Sequence, residues 1–232
     1  MVQTSPRALP ALYRSTVGKK SIMAVTGAVL LLYIVAHMVG NLKIFFGPEE
    51  FDEYAAWLRT IGEPVLHHEW FLWILRVVLL ASVILHITMA VQLTARARRA
   101  RPVRYQHRAK VQGSYAARTM RWGGVIIFLF VIYHLLDLTF GTVNPGFEHG
   151  EVYRNVSADF APERWYVTLF YTLAVVALGF HLRHGLVSAL QSLGRTSPQR
   201  ARTLDLAATA FAVVIVAGYL SVPFAVTVGL VD

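Results

Sequence analysis

Five runs of roughly twenty or more apolar residues divide the 232-residue chain, at about 21–46, 70–95, 122–143, 166–190 and 206–228. A helix rises about 1.5 Å per residue, so each run is long enough to cross a hydrocarbon layer about 30 Å thick. The connecting segments leave no room for a soluble domain. The expected fold class is therefore all-α: an integral membrane bundle of five transmembrane helices, with residues 1–232 forming one transmembrane domain. With 56% hydrophobic and only 15% charged residues, a soluble domain of this length could not hide its apolar surface. The first run has no small-residue cleavage motif before the next loop, so it reads as a retained span.

The basic residues fix an orientation. Arg7, Arg14, Lys19 and Lys20 precede the first span, nine Lys and Arg lie between Arg96 and Arg121, and Arg195, Arg200 and Arg202 precede the fifth. The opposite side holds only Arg59, Arg154 and Arg164, among acids such as Glu49, Glu50, Glu148 and Asp159. Positive residues stay cytoplasmic, which places the N-terminus in the cytoplasm and Asp232 outside. Because its cations sit in the connectors, the +9 net charge is a topology signal and calls for no nucleic-acid partner. Trp70, Trp73, Trp122, Trp165 and Tyr166 mark span ends, where amphipathic rings favour the headgroup level. Phe51, Tyr54, Ala55 and Leu58 recur at helical spacing, predicting a short amphipathic surface helix ended by Gly62 and Pro64. The fifth span has no His, Lys or Arg and contains Pro223, so its expected role is lateral packing.

No cysteine is present, which excludes thiolate-held iron and iron-sulfur clusters from this chain. Histidine is what remains. His37, His86, His134 and His181 fall inside four consecutive spans, where an ionisable side chain is expensive and marks function by default. One such residue alone reads equally as a neutral imidazole bonded across a helix interface. Four in a pattern read differently. His37 lies 17 residues after Lys20 and His134 lies 13 after Arg121, on helices entering from the cytoplasm. Both sit roughly 20–25 Å up, in the outer half. His86 and His181 each lie 16 residues after a tryptophan on helices entering from outside, and so fall in the inner half. The result is an outer pair, His37 with His134, and an inner pair, His86 with His181, separated by very roughly 15 Å. Two b-type haems stacked across the bilayer, each with two histidine ligands, need this arrangement. Such iron cycles electrons without activating a substrate.

Other residues stay open at this level. His184, three after His181 on one face, is the alternative ligand; His181 is preferred because it is deeper. Lys43, Arg76 and Arg183 are candidates for haem propionates, or snorkel to headgroups. Asp137, one turn after His134, is either a hydrogen-bond partner at the haem or a proton-handling group. Glu63, His67 and His68 form a titratable cluster at the outer start of the second span, fitted to quinone protonation or simply a solvated loop face. Gly40, Gly123, Gly124, Gly179 and Gly185 suit either a macrocycle slot or close helix packing.

The segments SIMAVTGAVLLLYIVAHMVGNLKIFFG, RTMRWGGVIIFLFVIYHLLDLTFG and FHLRHGLVSALQSLG make the chain resemble the single-subunit cytochrome b anchor of succinate dehydrogenases and fumarate reductases, the five-helix di-haem type. The resemblance covers nearly the whole length. It implies a flavoprotein and an iron-sulfur subunit docked on the cytoplasmic face of a bacterial inner membrane. The chain would anchor them and pass electrons to or from a menaquinone-type quinone, within the respiratory chain and tricarboxylic acid cycle, with no succinate site of its own. His86 and His181 would hold the proximal haem, His37 and His134 the distal one. It also implies a quinone-site glutamate near the outer start of helix two, for which Glu63 is the candidate. Basic residues from Arg98 to Arg108 would meet the iron-sulfur subunit or anionic headgroups. The alternatives are a cytochrome b anchor of another quinone-linked dehydrogenase, a histidine-using proton or cation transporter, and a haem-free structural anchor. The transporter reading lacks paired broken helices in matching halves.

Overall fold

The computed structural model describes residues 13–100, 115–192 and 198–231, and these are helical apart from their connectors. Five helices are long and apolar enough to cross a membrane. They are α1 (Thr16–Asn41, prolonged by a 3-10 turn, Leu42–Phe46), α3 (Trp70–Arg99), α4 (Tyr115–Leu138), α6 (Trp165–Ser192) and α7 (Pro198–Thr227). Two short helices, α2 (Pro48–Thr60) and α5 (Val152–Asp159), lie in the connectors at one end.

Local chemistry sets the ends. Ser15 caps α1 by accepting a hydrogen bond from the Gly18 N–H at 2.8 Å. Pro48 opens α2 with its φ preset for a helix, and Glu49 and Glu50 in the first turn and Arg59 in the last are favourable to the helix dipole. Arg96, Arg98 and Arg99 end α3 in the same sense. The third apolar run continues to 143, yet α4 stops at Leu138. There the Thr142 N–H donates to the Leu136 carbonyl at 2.7 Å, and Gly141 turns the chain at φ +70°. An added Cβ at Gly141 would lie 2.2 Å from the Phe147 ring, so only glycine fits this turn. Pro223 lies inside α7, which continues past it to Thr227.

Large apolar side chains such as Leu32, Val77, Leu80, Leu129, Leu173 and Val213 are exposed, as expected of surfaces facing lipid chains. Packing in lipid draws on close approach more than on water exclusion. Gly179 lets α6 reach α7, since a Cβ there would meet Val216 at 2.6 Å. Gly218 likewise admits Met38 of α1. Helix α6 is central: Val167, Tyr171, Ala174, Val175 and Leu182 bury one stripe of it.

At the end carrying α2 and α5, Ile44, Phe51, Val156, Phe160, Tyr171 and Val226 form one apolar cluster. Full burial of each large side chain there stabilises by about 1.5–3 kcal/mol. Asp52 of α2 accepts from the Tyr153 N–H of α5 at 2.9 Å, tying the two short helices together.

Helix contacts reveal a seam. Helix α1 packs along α3, α6 packs along both α4 and α7, and α1 also touches α6 and α7. Among the described residues, neither α1 with α4 nor α3 with α6 makes a comparably extended contact. The bundle is thus an α1–α3 layer facing an α4–α6 layer, with α7 closing one side.

Candidate functional site

Both pairs of intramembrane histidines bridge that seam. His37 of α1 meets His134 of α4 with ring centroids 5.9 Å apart, and His86 of α3 meets His181 of α6 at 6.3 Å. Two imidazoles that share one metal ion through bonds of about 2 Å place their centroids roughly 6 Å apart. No group of three or more His, Cys, Asp or Glu able to hold a metal ion occurs among the described residues. The donors come in twos, which suits a metal whose remaining ligands arrive with it.

Hydrogen bonds at Nδ1 leave Nε2 free. His86 Nδ1 lies 3.1 Å from the Met23 carbonyl, an acceptor only, so the proton sits on Nδ1 and Nε2 keeps its lone pair. The Tyr171 hydroxyl donates to Asp137 Oδ2 at 2.8 Å and therefore accepts from His134 Nδ1–H at 3.3 Å. Orienting partners of this kind are what ligating histidines ordinarily have. His181 is buried beside the Met120 backbone, and its Nδ1 makes no hydrogen bond of ordinary geometry among the described residues. Tyr33 stacks on His37 at 5.3 Å, and Tyr219 of α7 lies 6.2 Å from it while bonding the Ile34 carbonyl. The fifth span thus contributes a tyrosine to the site as well as packing.

The spacing between levels follows from the residues touched. Along α1, Met23 and Gly27 contact His86 while His37 stands 10 to 14 residues further on. Along α4, Gly124 faces His181 and His134 follows ten residues later. At about 1.5 Å per residue the levels are roughly 15–20 Å apart.

Compared with protein-family models, residues 94–219 match the succinate dehydrogenase/fumarate reductase transmembrane subunit. The chain belongs to that family. It is accordingly a multi-pass membrane subunit of a succinate dehydrogenase or fumarate reductase. The matched region holds His134, His181 and His184, whereas His37 and His86 precede it. No curated protein and no solved structure gives a significant match.

The subunit's other candidate residues fall in distinct places. His181 is the ring paired with His86, and His184 lies one turn further along α6. Lys43 pairs with Glu50 at 3.3 Å, and Arg76 lies 4.8 Å from the Trp73 ring. Arg183 is turned to α7, with both Asp205 oxygens at 2.8 Å and the Thr209 hydroxyl at 2.7 Å. Glu63 and His68 meet at 3.1 Å in an exposed pair, and His67 packs edge-on against Trp70 at 4.9 Å. Of the glycines, Gly124 stands at a histidine, 3.8 Å from His181 Cε1, whereas Gly40 meets Tyr54.

Sequence reasoning overlooked three features. Gly27 faces His86 so closely that a Cβ would lie 3.2 Å from its ring. Tyr171 looked like one more apolar-run aromatic, yet it links His134 to Asp137. Lys20, Arg98 and Arg121 line one open cavity of about 670 Å³ together with Met23, whose carbonyl meets His86 Nδ1. Their shared position at the basic ends of three spans was the available signal. Of the basic stretch expected to meet an iron-sulfur subunit, Arg98 and Arg99 end α3, and residues 101–114 lie outside the described part.

Proposed function

We propose that this subunit carries electrons through two b-type haems, between an iron-sulfur subunit on the cytoplasmic side and a membrane quinone of menaquinone type. The observation that carries the reading is the pair of imidazole couples on one seam, each at the spacing of two ligands to one iron. The donor set fits: imidazoles with Nδ1 tied and the Nε2 lone pair available at His86 and His134, and, among the described residues, a seam along which neither α1 with α4 nor α3 with α6 packs as extensively as the neighbouring helix pairs. Haem, when bound there, would supply one-electron cycling without activating a substrate.

The chain's own residues do the rest. His86 and His181 hold the inner centre, and His37 and His134 the outer one. Lys20, Arg98 and Arg121 present three positive charges on a cavity also lined by Met23, whose carbonyl meets His86, and there they would neutralise carboxylates of an inner macrocycle. Lys43 and Arg76 offer the same on the other side. Glu63, with His68, gives a quinone a group that gives up and takes protons. Arginines at the end of α3 face the docking side for the iron-sulfur subunit, to which a succinate-oxidising or fumarate-reducing flavoprotein attaches. The orientation rests on the distribution of Lys and Arg, with the N-terminus in the cytoplasm.

The test is to purify the complex from membranes and add succinate. Reduction of b-type haem absorbance by succinate, with a flavoprotein and an iron-sulfur subunit in the preparation, is the expected result. A haem-containing chain that succinate leaves oxidised in an otherwise active complex refutes the electron route.

A further inference from the structure

Asp137, near the end of α4, and Asp159, the last residue of α5, are both fully buried, at 0% exposure. Nothing in the proposed electron route requires two carboxyl groups there. Among the described residues their one cationic neighbour is Arg164, 2.7 Å from Asp159 Oδ1. Among the described residues, Tyr133 and Tyr171 are the other titratable groups facing the pair, with Tyr166 beside Tyr133. Tyr171 donates to Asp137 Oδ2. Asp137 Oδ1 and Asp159 Oδ2 are buried and receive no hydrogen bond from any described donor.

Two ionised carboxylates against one guanidinium leave an uncompensated buried charge. Two oxygens without donors are a second defect of the same state. One proton placed between the carboxyl groups removes both. It balances the charge against Arg164 and gives the pair a donor. Burial first, and then the neighbouring Asp137, hold Asp159 up at about 8, far above the ordinary carboxylate range.

We infer that Asp137 and Asp159 share a single proton, and that the pair binds and releases it in step with the redox state of the outer histidine centre. The inference rests on the electron-transfer reading for its second half only. Asp137 is one turn from His134 and is linked to it through the Tyr171 hydroxyl. When the outer centre gains an electron, the added negative charge raises the proton affinity of the pair, which draws one proton from the aqueous side. Loss of the electron returns it. By linkage, the outer potential falls as pH rises above about 8, where the oxidised protein has released the proton and the reduced protein still holds it. The slope is at most about 59 mV per pH unit, the one-electron equivalent of a tenfold change in proton activity.

The experiment combines infrared spectroscopy of the purified complex with redox titration across that pH range, on the wild type, Asp159→Asn and Asp137→Asn. The wild type at neutral pH is expected to show the carbonyl stretch of a buried protonated carboxylic acid. That band should disappear in Asp159→Asn or in Asp137→Asn. The wild-type outer potential should fall with pH, and the inner potential should not. A band that survives in both variants, or a wild type with no such band, overturns the shared proton without any variant having to be active. A pH-independent outer potential in a complex holding both haems overturns the redox coupling. Absence of haem from a complex that shows the band and loses it in the variants sinks the electron-transfer reading, and the redox coupling with it, while upholding the shared proton.

Discussion

Replacing Tyr171 by Phe removes one oxygen from the outer level and little else. Its ring contacts, 4.9 Å to Phe130 and 4.9 Å to Phe160, are available to phenylalanine, so the cluster around it keeps its packing. Two hydrogen bonds are lost, the 2.8 Å bond to Asp137 and the 3.3 Å bond from His134. A buried group stripped of its partner costs about 1–3 kcal/mol. Two buried groups are left behind, Asp137 Oδ2 and the His134 Nδ1–H, which places the expected loss of stability at about 2–3 kcal/mol. His134 loses the acceptor that holds its ring and tautomer, a change worth about 10–100-fold in metal affinity. His181 lies ten residues from Tyr171 on the same helix, roughly 15 Å away, too far for the substitution to couple to it. The assay is haem content with electron paramagnetic resonance of the two low-spin centres, alongside thermal unfolding of the complex. One centre weakened or shifted beside one unchanged is the expected outcome. Equal changes at both centres, or none at either, would refute the role given to Tyr171.

Three further sets of substitutions probe the same architecture. His86→Ala or His181→Ala should remove the inner haem and spare the outer, and His37→Ala or His134→Ala should do the reverse; loss of the inner haem in His184→Ala but not in His181→Ala overturns the ligand choice. Gly27→Val puts branched bulk where a single Cβ already lies 3.2 Å from His86, so difference spectra should show the inner haem lost, whereas Gly124→Ala, with 3.8 Å to spare, should retain it. Glu63→Gln should slow quinone turnover several-fold with both haem spectra intact, and unchanged turnover removes Glu63 from the quinone site.

The spans were legible because lipid enforces one rule, that backbone groups must be satisfied within an apolar helix. The short helix 48–60 was legible too, since Phe51 recurs in step with Tyr54, Ala55 and Leu58 and is buried. Hydropathy alone misplaced the end of α4, because Gly141 stops the helix inside a run that is still apolar. Helix α5 went unseen: Val152, Val156 and Phe160 recur at helical spacing, but over only eight helical residues that also include the polar Asn155, Ser157 and Asp159. The side-chain network of Asn155 with Glu148 and Asn144, which holds that loop, is a tertiary fact.

At the site, depth could be counted from Lys20, Trp70, Arg121 and Trp165, and the counted pairs are the ones whose rings meet. Counting has no access to what stands beside each ring. Tyr171 and Gly27 become functional only through residues on other helices, at separations of 34 to 59 positions. The sequence left Arg183 to a haem propionate or a headgroup, whereas Asp205, on the next helix, engages it. Buried ion pairs and bridging hydroxyls depend on which faces meet, and this sequence alone does not say which faces those are.

The most direct test of the account is the ratio of haem to chain, taken with a reduced-minus-oxidised spectrum of the purified complex. Two b-type haems per chain is the predicted result. A complex with its full subunit set and no haem contradicts it, and would return the four histidines to helix packing.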